Sequence, residues 1–338
     1  YLYKHGFSVV EVAIWVLITY IGYILFQPVL LKYSHKFSNK VLLLISTIFF
    51  ISAYIELIFY LDSLFSLVLN AILYTCYASI YWNVRHDLEF ITLNDKKIGR
   101  KVGILLIISQ ISEIIAAIIS AIILDNFSII PLVITSSILM IISLISVLLI
   151  EEKRKKQVKE SILSYFKIVP KVTLFHLFLR EASTIMSDFF SLYLFIYVSN
   201  TYSFAGLANF FLGLASIIFT YFLSKRIDEK RESYLLLCTI LICLIYLFKI
   251  NITTETVLII IFIEGFIKQF FNVVNNNNYY ILGTKLDKKT YICGNEFFIN
   301  IARISIILVG LFLTGSLPKL MYFCIGLLVL SGFVPFKI

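Results

Sequence analysis

The sequence predicts an all-α polytopic membrane protein. Its 338 residues are 60% hydrophobic and only 14% charged, whereas a soluble domain is typically about 45–50% apolar and about 25% charged. Long apolar runs follow one another along the chain, and Lys and Arg are concentrated in alternate segments between them. A chain of this composition cannot hide its apolar surface from water, so the solvent of most of its length must be lipid.

The apolar runs have the length of membrane-spanning helices. A bilayer core about 30 Å thick needs about 20 mostly apolar residues per helix. Backbone N–H and C=O groups in lipid must form their hydrogen bonds within their own segment, so these runs are predicted to be helices. Eleven spans are predicted, which we name A to K in chain order: 9–31, 40–60, 64–84, 102–123, 128–150, 172–197, 203–224, 233–250, 256–276, 296–315 and 318–336.

The basic residues predict the orientation of the spans. Of the 29 Lys and Arg residues, 23 fall on one side of the membrane, three on the other side (Lys4, Lys249 and Lys319) and three within spans. Cytoplasmic loops collect Lys and Arg, so the richer side is predicted to be the cytoplasm and to include the C-terminus. The net charge of +9 then reflects topology, and binding of nucleic acid is not expected. The basic side consists of segments 32–40, 85–101, 151–171, 225–231 and 285–289 and of Lys337.

The long basic segment 151–171 divides the chain into two related halves. Residues 81–84 (Tyr-Trp-Asn-Val) and 270–273 (Phe-Phe-Asn-Val) are each followed by a polar stretch and by Asp-Lys-Lys, at 95–97 and 287–289. The order and the sidedness of these matches agree, which indicates a parallel internal repeat. The counterpart of span F would precede residue 1, so a complete protein is predicted to have six plus six helices.

This arrangement resembles the major facilitator superfamily, whose members have two six-helix bundles joined by a basic cytoplasmic loop. Residues 6–8 (Gly-Phe-Ser) are similar to the family's first external loop, and segment 31–40 has the length and basic character of its signature loop. Lys40 keeps the basic end of that signature, while Leu31 and His35 stand at its Gly and Asp positions. The resemblance implies an N-terminal bundle at 1–150 (five visible spans), a linker at 151–171 and a C-terminal bundle at 172–338.

Polar residues inside the spans are the candidate binding residues, because an ionisable group at bilayer depth costs at least about 2.5–3.5 kcal/mol and usually has a role. On span F, helical spacing places Arg180, Asp188 and Ser187 on one face. Span I carries Glu264 and Lys268 at the favourable i, i+4 spacing. The full predicted set for substrate or proton binding is Asp188, Arg180, Glu264, Lys268, Glu113, Asn272 and Tyr77.

The resemblance implies that spans C, F and I line a central cavity, as the fourth, seventh and tenth helices do in the family. It also implies a secondary active transporter that works by alternating access. The acidic and basic residues inside the spans favour a small polar solute and coupling to protons. Asp188, Glu264 or Glu113 are the candidate proton carriers, and Lys268 or Arg180 would bind an anionic group. The alternative for these charges is structural: Arg180 with Glu181, or Glu264 with Lys268, would form ion pairs that only hold helices together.

Two other functions stay open at this point. A polytopic membrane enzyme acting on a lipid-linked substrate would need a polar cluster near a membrane surface, for which residues 85–87 (Arg-His-Asp) are the candidate. A transporter-like receptor without transport is favoured by the changed signature loop. No phosphate-binding Gly-Lys-Ser/Thr loop, Cys-x-x-Cys motif or histidine cluster is present, so neither a cofactor nor a metal is predicted. We expect a monomer in the plasma (inner) membrane.

Overall fold

The computed structural model describes residues 2, 3, 6–59, 63–92, 98–148, 161–223, 231–250, 256–283, 287–314 and 316–335. Over these residues the secondary structure is helical, which confirms the predicted fold class. A 3-10 turn, Ser34–Lys36, follows the first helix. The α-helices are α1 Val9–Tyr33, α2 Asn39–Phe59, α3 Leu64–Thr92, α4 Ile98–Asn126, α5 Ile129–Leu148, α6 Ile162–Ile168, α7 Lys171–Arg180, α8 Ala182–Tyr197, α9 Tyr202–Leu223, α10 Arg231–Ile250, α11 Val257–Gly283, α12 Lys288–Thr314 and α13 Leu317–Phe333.

Six of the described helical segments are long enough and apolar enough to cross a membrane. They are Val9–Lys36, Asn39–Phe59, Leu64–Phe90, Gly103–Asn126, Tyr202–Phe222 and Lys288–Gly310. Ile162–Ile168 together with Lys171–Tyr197 would make a seventh, and parts of α5, α10 and α13 are apolar but shorter. The count of eleven spans therefore stays a prediction.

Local sequence explains where the helices begin and bend. Ser8 caps α1 through the backbone N–H of Glu11, whose side chain accepts from the N–H of Ser8, so the capping box expected from Ser-x-x-Glu is present. Pro170 forces Val169 into an extended conformation (φ −74°, ψ 125°). The axes of α6 and α7 consequently meet at a 109° bend.

Predicted span F is not one regular helix. A turn at Glu181 (φ −63°, ψ −13°) separates α7 from α8. The Glu181 carboxylate accepts from Arg180 at 2.8 Å and from the hydroxyl of Thr184 at 3.1 Å, so this turn is held by side chains on both sides of it. The sequence does not signal the break, because neither Pro nor Gly stands there.

The chain forms two compact units that do not follow its two halves. Unit 1 comprises 1–92, 128–169 and 283–307, and unit 2 comprises 93–127, 170–282 and 308–338. In the predicted linker, residues 151–160 lie outside the described residues, whereas 162–168 form α6. The division into sequential bundles at 1–150 and 172–338 stays a prediction.

Unit 1 has its apolar core where α1, α2, α3, α6 and the start of α12 meet. The phenol of Tyr165 on α6 is fully buried and donates to Asn295 on α12 at 3.2 Å. This bond fixes the short helix to the rest of the unit. The core contains Leu30, Leu31, Leu42, Leu43, Ile80, Val84, Ile162 and Cys293.

Unit 2 is held together by close helix contacts at small residues. Gly206 of α9 lies against Ala117 and Ala121 of α4, and Gly265 of α11 lies against Leu212 of α9. Small residues let helix backbones approach closely in membranes, where apolar side chains gain little by leaving lipid. On another side of the unit, α13 packs against α7, α8 and α10.

We expect Gly265→Ala to destabilise the protein by about 1–3 kcal/mol, because the new Cβ would overlap the carbonyl oxygen of Leu212 and force α9 and α11 apart. Gly326→Ala on α13 is the matched control, since its Cβ would meet nothing within 4 Å. The measurement is the thermal unfolding midpoint of the purified protein in detergent. Equal midpoints for the two variants would contradict the packing argument.

Candidate functional site

A cavity with both charged and apolar walls lies in unit 2, between α8, α9, α10 and α11. Its volume is about 70 Å³, which is room for several water molecules at roughly 10–15 Å³ each. Two of its lining residues are lysines and one is a glutamate. The lining consists of Ser187, Phe190, Ser191 and Leu194 of α8, Ala205, Ala208, Asn209 and Leu212 of α9, Lys249 of α10, and Ile261, Glu264 and Lys268 of α11.

A buried ion pair forms one wall of the cavity. The ammonium of Lys249 lies 2.7 Å from a carboxylate oxygen of Glu264, and each residue is only 2% exposed. The ammonium also lies 3.2 Å from the ring centre of Phe190 and 5.2 Å from that of Tyr246. Cation–π attraction of this kind is worth about 2 kcal/mol or more when the site is desolvated. Lys249 is therefore surrounded by one full negative charge and two aromatic rings.

The directions of the two helices bring this pair together. Side chains on a helix tilt toward its N-terminus, so Lys249, in the last turn of α10, directs its side chain back along that helix. Glu264 stands in the second turn of α11, which follows α10 in the chain. A lysine at the end of one helix thus reaches a carboxylate near the start of the next.

The second lysine of the cavity has a different partner. The ammonium of Lys268, one turn after Glu264, donates to the hydroxyl of Ser187 on α8 at 2.9 Å. The i, i+4 ion pair that the sequence favoured between Glu264 and Lys268 is replaced by a bond from Lys249 to Glu264. Asn272, one further turn along α11, is half-buried. Two of the predicted site residues therefore meet at one cavity, but through different contacts from those predicted.

The other predicted residues have separate surroundings. Arg180 pairs with Glu181, as the structural alternative in the sequence proposed. Asp188 lies on α8 beside Ser187, and its side chain is exposed. Glu113 on α4 is exposed and accepts from Ser109 and Gln110, each at 3.1 Å. The described residues that line the cavity do not include Asp188, Arg180 or Glu113.

Tyr77 belongs to an aromatic column in unit 1. Its ring lies 4.8 Å from that of Phe50, 5.7 Å from that of Tyr74 and 5.6 Å from that of Tyr81. Tyr74 in turn contacts the indole of Trp15 at 5.3 Å. Such tilted and edge-on contacts are the preferred geometry of packed aromatic rings, so in this structure Tyr77 is a packing residue of α3.

Lys249 is the residue that sequence reasoning missed. Its place at the end of predicted span H puts it among the charges on the outer side of the membrane. The available signal was its position in the last helical turn, from which a long side chain can reach a carboxylate 15 residues later. Distances across a helical hairpin depend on the turn between the helices, so this signal alone does not fix the pair.

A second polar network joins α1, α3 and α12 in unit 1. The Asn83 amide donates to Gln27 at 3.3 Å and to the Cys293 sulfur at 3.2 Å, and its oxygen accepts from Lys289. This network packs helices through a buried amide, which satisfies polar groups on three elements at once.

Segment 85–87, the candidate for an enzyme site, lies within α3. His86 Nδ1 lies 3.0 Å from Glu89, and Nε2 lies 3.8 Å from Glu296 on α12. The Arg85 guanidinium pairs with Glu89 at 2.9 Å and lies 4.6 Å from the ring of Trp82. Most of these contacts lie within α3 itself, and His86 also approaches Glu296 of α12.

Apolar helices with a charged cavity between them are typical of a membrane transport protein. Comparison with known proteins gives the family. The profile of the Major Facilitator Superfamily matches residues 1–290, and the chain belongs to that superfamily. The resemblance drawn from the sequence is thereby confirmed.

The fold is similar to that of solved transporters. A bacterial homologue of the iron transporter ferroportin in its outward-facing state superposes with a TM-score of 0.66 at 14% identity, covering 98% of this chain and 91% of the homologue. FucP in the outward conformation gives 0.63 at 11% identity, covering 97% and 90%. A variant of the fucose:proton symporter of E. coli gives 0.62 at 13% identity, covering 96% and 90%. No curated protein sequence matches the chain.

Membership of this family makes the protein a secondary transporter and a multi-pass integral membrane protein that carries a small solute. It is not an enzyme. The low sequence identities show a shared fold and carry no substrate over to this chain.

We expect Lys249→Met and Glu264→Gln each to destabilise the protein by about 3–5 kcal/mol, because each leaves one member of the buried pair without its partner. The double variant should be more stable than either single variant, since it removes both partners. Thermal unfolding midpoints of the four proteins test this in a double-mutant cycle. Additive effects of the two substitutions would contradict a direct pair.

Proposed function

We propose that the protein moves a small polar solute by alternating access, coupled to protons, and that the cavity of unit 2 is its binding site. The observation that carries the proposal is the buried pair of Lys249 and Glu264 in the wall of that cavity. A buried ion pair is weak evidence for stability, because desolvation offsets much of its attraction. A role in binding accounts better for the charges.

Glu264 is the proposed proton carrier. When it takes a proton, its attraction for the ammonium of Lys249 falls, and that ammonium must find another partner in a medium of low dielectric. The solute supplies that partner, so protonation and binding of the solute favour each other. Alternating access then exposes the loaded cavity to each side of the membrane in turn.

Asp188 and Glu113 are the competing carriers from the sequence. Both side chains are exposed in the structure, and neither is among the lining residues of the cavity. Glu264 faces the ammonium of Lys249 inside the cavity, so a proton on Glu264 changes the charge balance of the cavity directly. This difference in surroundings favours Glu264.

The test is uptake into liposomes. The purified protein is reconstituted, a pH gradient is imposed, and pooled small solutes are screened for accumulation. We expect gradient-driven accumulation that Glu264→Gln abolishes and that Lys268→Ala reduces at least ten-fold. Ser143→Ala is the control, since Ser143 is exposed on α5 and its hydroxyl contacts the carbonyl of Met140 in its own helix. Asp188→Asn and Glu113→Gln are measured beside it.

Unchanged gradient dependence in Glu264→Gln, with the protein folded as judged by gel filtration, would refute Glu264 as the carrier. Loss of the dependence in Asp188→Asn or Glu113→Gln alone would assign the role to that residue. An absence of accumulation for every pool would count against transport of a small polar solute.

We further propose a monomer in the plasma membrane with a cytoplasmic C-terminus, on the basis of the Lys and Arg distribution. Alkaline phosphatase, which is active only outside the cytoplasm, should be inactive when fused after residue 338. The same reporter fused after Phe127, between α4 and α5, should be active. Activity in the reverse pattern would invert the topology.

A further inference from the structure

The cavity of unit 2 carries more positive than negative charge. Its lining residues are two lysines, Lys249 and Lys268, one glutamate, Glu264, and otherwise neutral side chains. A net charge next to lipid is costly, because low-dielectric surroundings do not screen it. Counted over its lining residues, the cavity is one negative charge short of balance.

Lys268 is the lysine that has a neutral partner. In the part of the chain that the structure describes, its ammonium contacts the hydroxyl of Ser187 at 2.9 Å, whereas the ammonium of Lys249 contacts a carboxylate. A hydroxyl can accept from an ammonium and can also donate to an anion. Ser187 and Ser191 stand one turn apart on α8, and both line the cavity.

We infer that the solute carries an oxyanion, a carboxylate or a phosphate, which binds to Lys268 and Lys249 in this cavity. The inference rests on the proposed function, since it takes the cavity as the transport site. The anionic group accepts from Lys268 and from the hydroxyls of Ser187 and Ser191. When Glu264 is neutral, the anionic group also takes the place of its carboxylate beside Lys249.

Other solute classes fit the charges less well. A cation would be repelled by two ammonium groups and attracted by one carboxylate that is already paired. An uncharged solute would leave the excess positive charge without compensation. The volume of about 70 Å³ suits an anionic group with a few atoms attached, so the remainder of a larger solute would extend beyond these walls.

Glu264→Gln separates this inference from proton coupling. Removing the carboxylate leaves Lys249 and Lys268 as the only charges among the lining residues of the described cavity, so the affinity for an oxyanion should rise. The same change should abolish gradient-driven uptake. One substitution is thus expected to strengthen binding and to stop coupled transport.

Binding is measured directly by isothermal titration calorimetry on the protein in lipid nanodiscs. The probes are sodium acetate and sodium phosphate, exchanged for sodium chloride at constant ionic strength, with methylammonium chloride as the cationic control. We expect acetate or phosphate to bind, Lys268→Ala to bind at least ten-fold more weakly, and Glu264→Gln at least ten-fold more tightly. Ser143→Ala should bind as the wild type does.

Each outcome decides a point. Binding of acetate alone identifies a carboxylate, and binding of phosphate alone identifies a phosphate. Binding of neither anion, binding unaffected by Lys268→Ala, or binding of methylammonium would overturn the inference. Lys268→Ala leaves the Lys249–Glu264 pair intact, so the test holds even if Glu264→Gln fails to fold. Oxyanion binding without gradient-driven uptake would refute the proposed proton-coupled transport and leave the anion site standing.

Discussion

The ion pair between Lys249 and Glu264 is the contact on which the interior of unit 2 depends. It joins α10 to α11 at a depth where each charge is 2% exposed, and neither charge would be stable there without the other. Phe190 brings α8 into the same arrangement through its ring. The charges of Lys249 and Glu264 therefore destabilise the fold unless α8, α10 and α11 keep their relative positions.

The fold class and the family follow from the sequence because lipid imposes simple rules on it. Apolar length sets the spans and the side of the basic residues sets orientation, and neither rule needs a tertiary contact. Helix interruptions depend on more detail. Pro170 is a visible signal for the bend before α7, whereas the turn at Glu181 depends on side-chain bonds to Arg180 and Thr184 that only the folded chain reveals.

The candidate site was predictable only in part. Glu264 and Lys268 stand out as charges inside an apolar run, and the structure places both at one cavity. Their partners, Lys249 and Ser187, lie on other helices, and helical spacing describes neighbours on one helix only. The sequence therefore shows which charges stand inside apolar runs but not which side chains they contact. Asp188 and Arg180 share a predicted face with Ser187, but the turn at Glu181 intervenes between Arg180 and the others.

Gly265, directly after Glu264, gives the cavity one wall of fixed geometry. Because Gly265 has no side chain, α11 rests there on the backbone of Leu212 of α9. The carbonyl of Gly265 accepts from the hydroxyl of Ser216, also on α9, at 3.1 Å. Where two helices are in backbone contact, no side chain between them can change rotamer to absorb a shift, so the position of Glu264 on α11 is tied to the backbone of α9. The place of the Glu264 carboxylate is thus set by backbone packing one residue away as well as by its ion pair with Lys249.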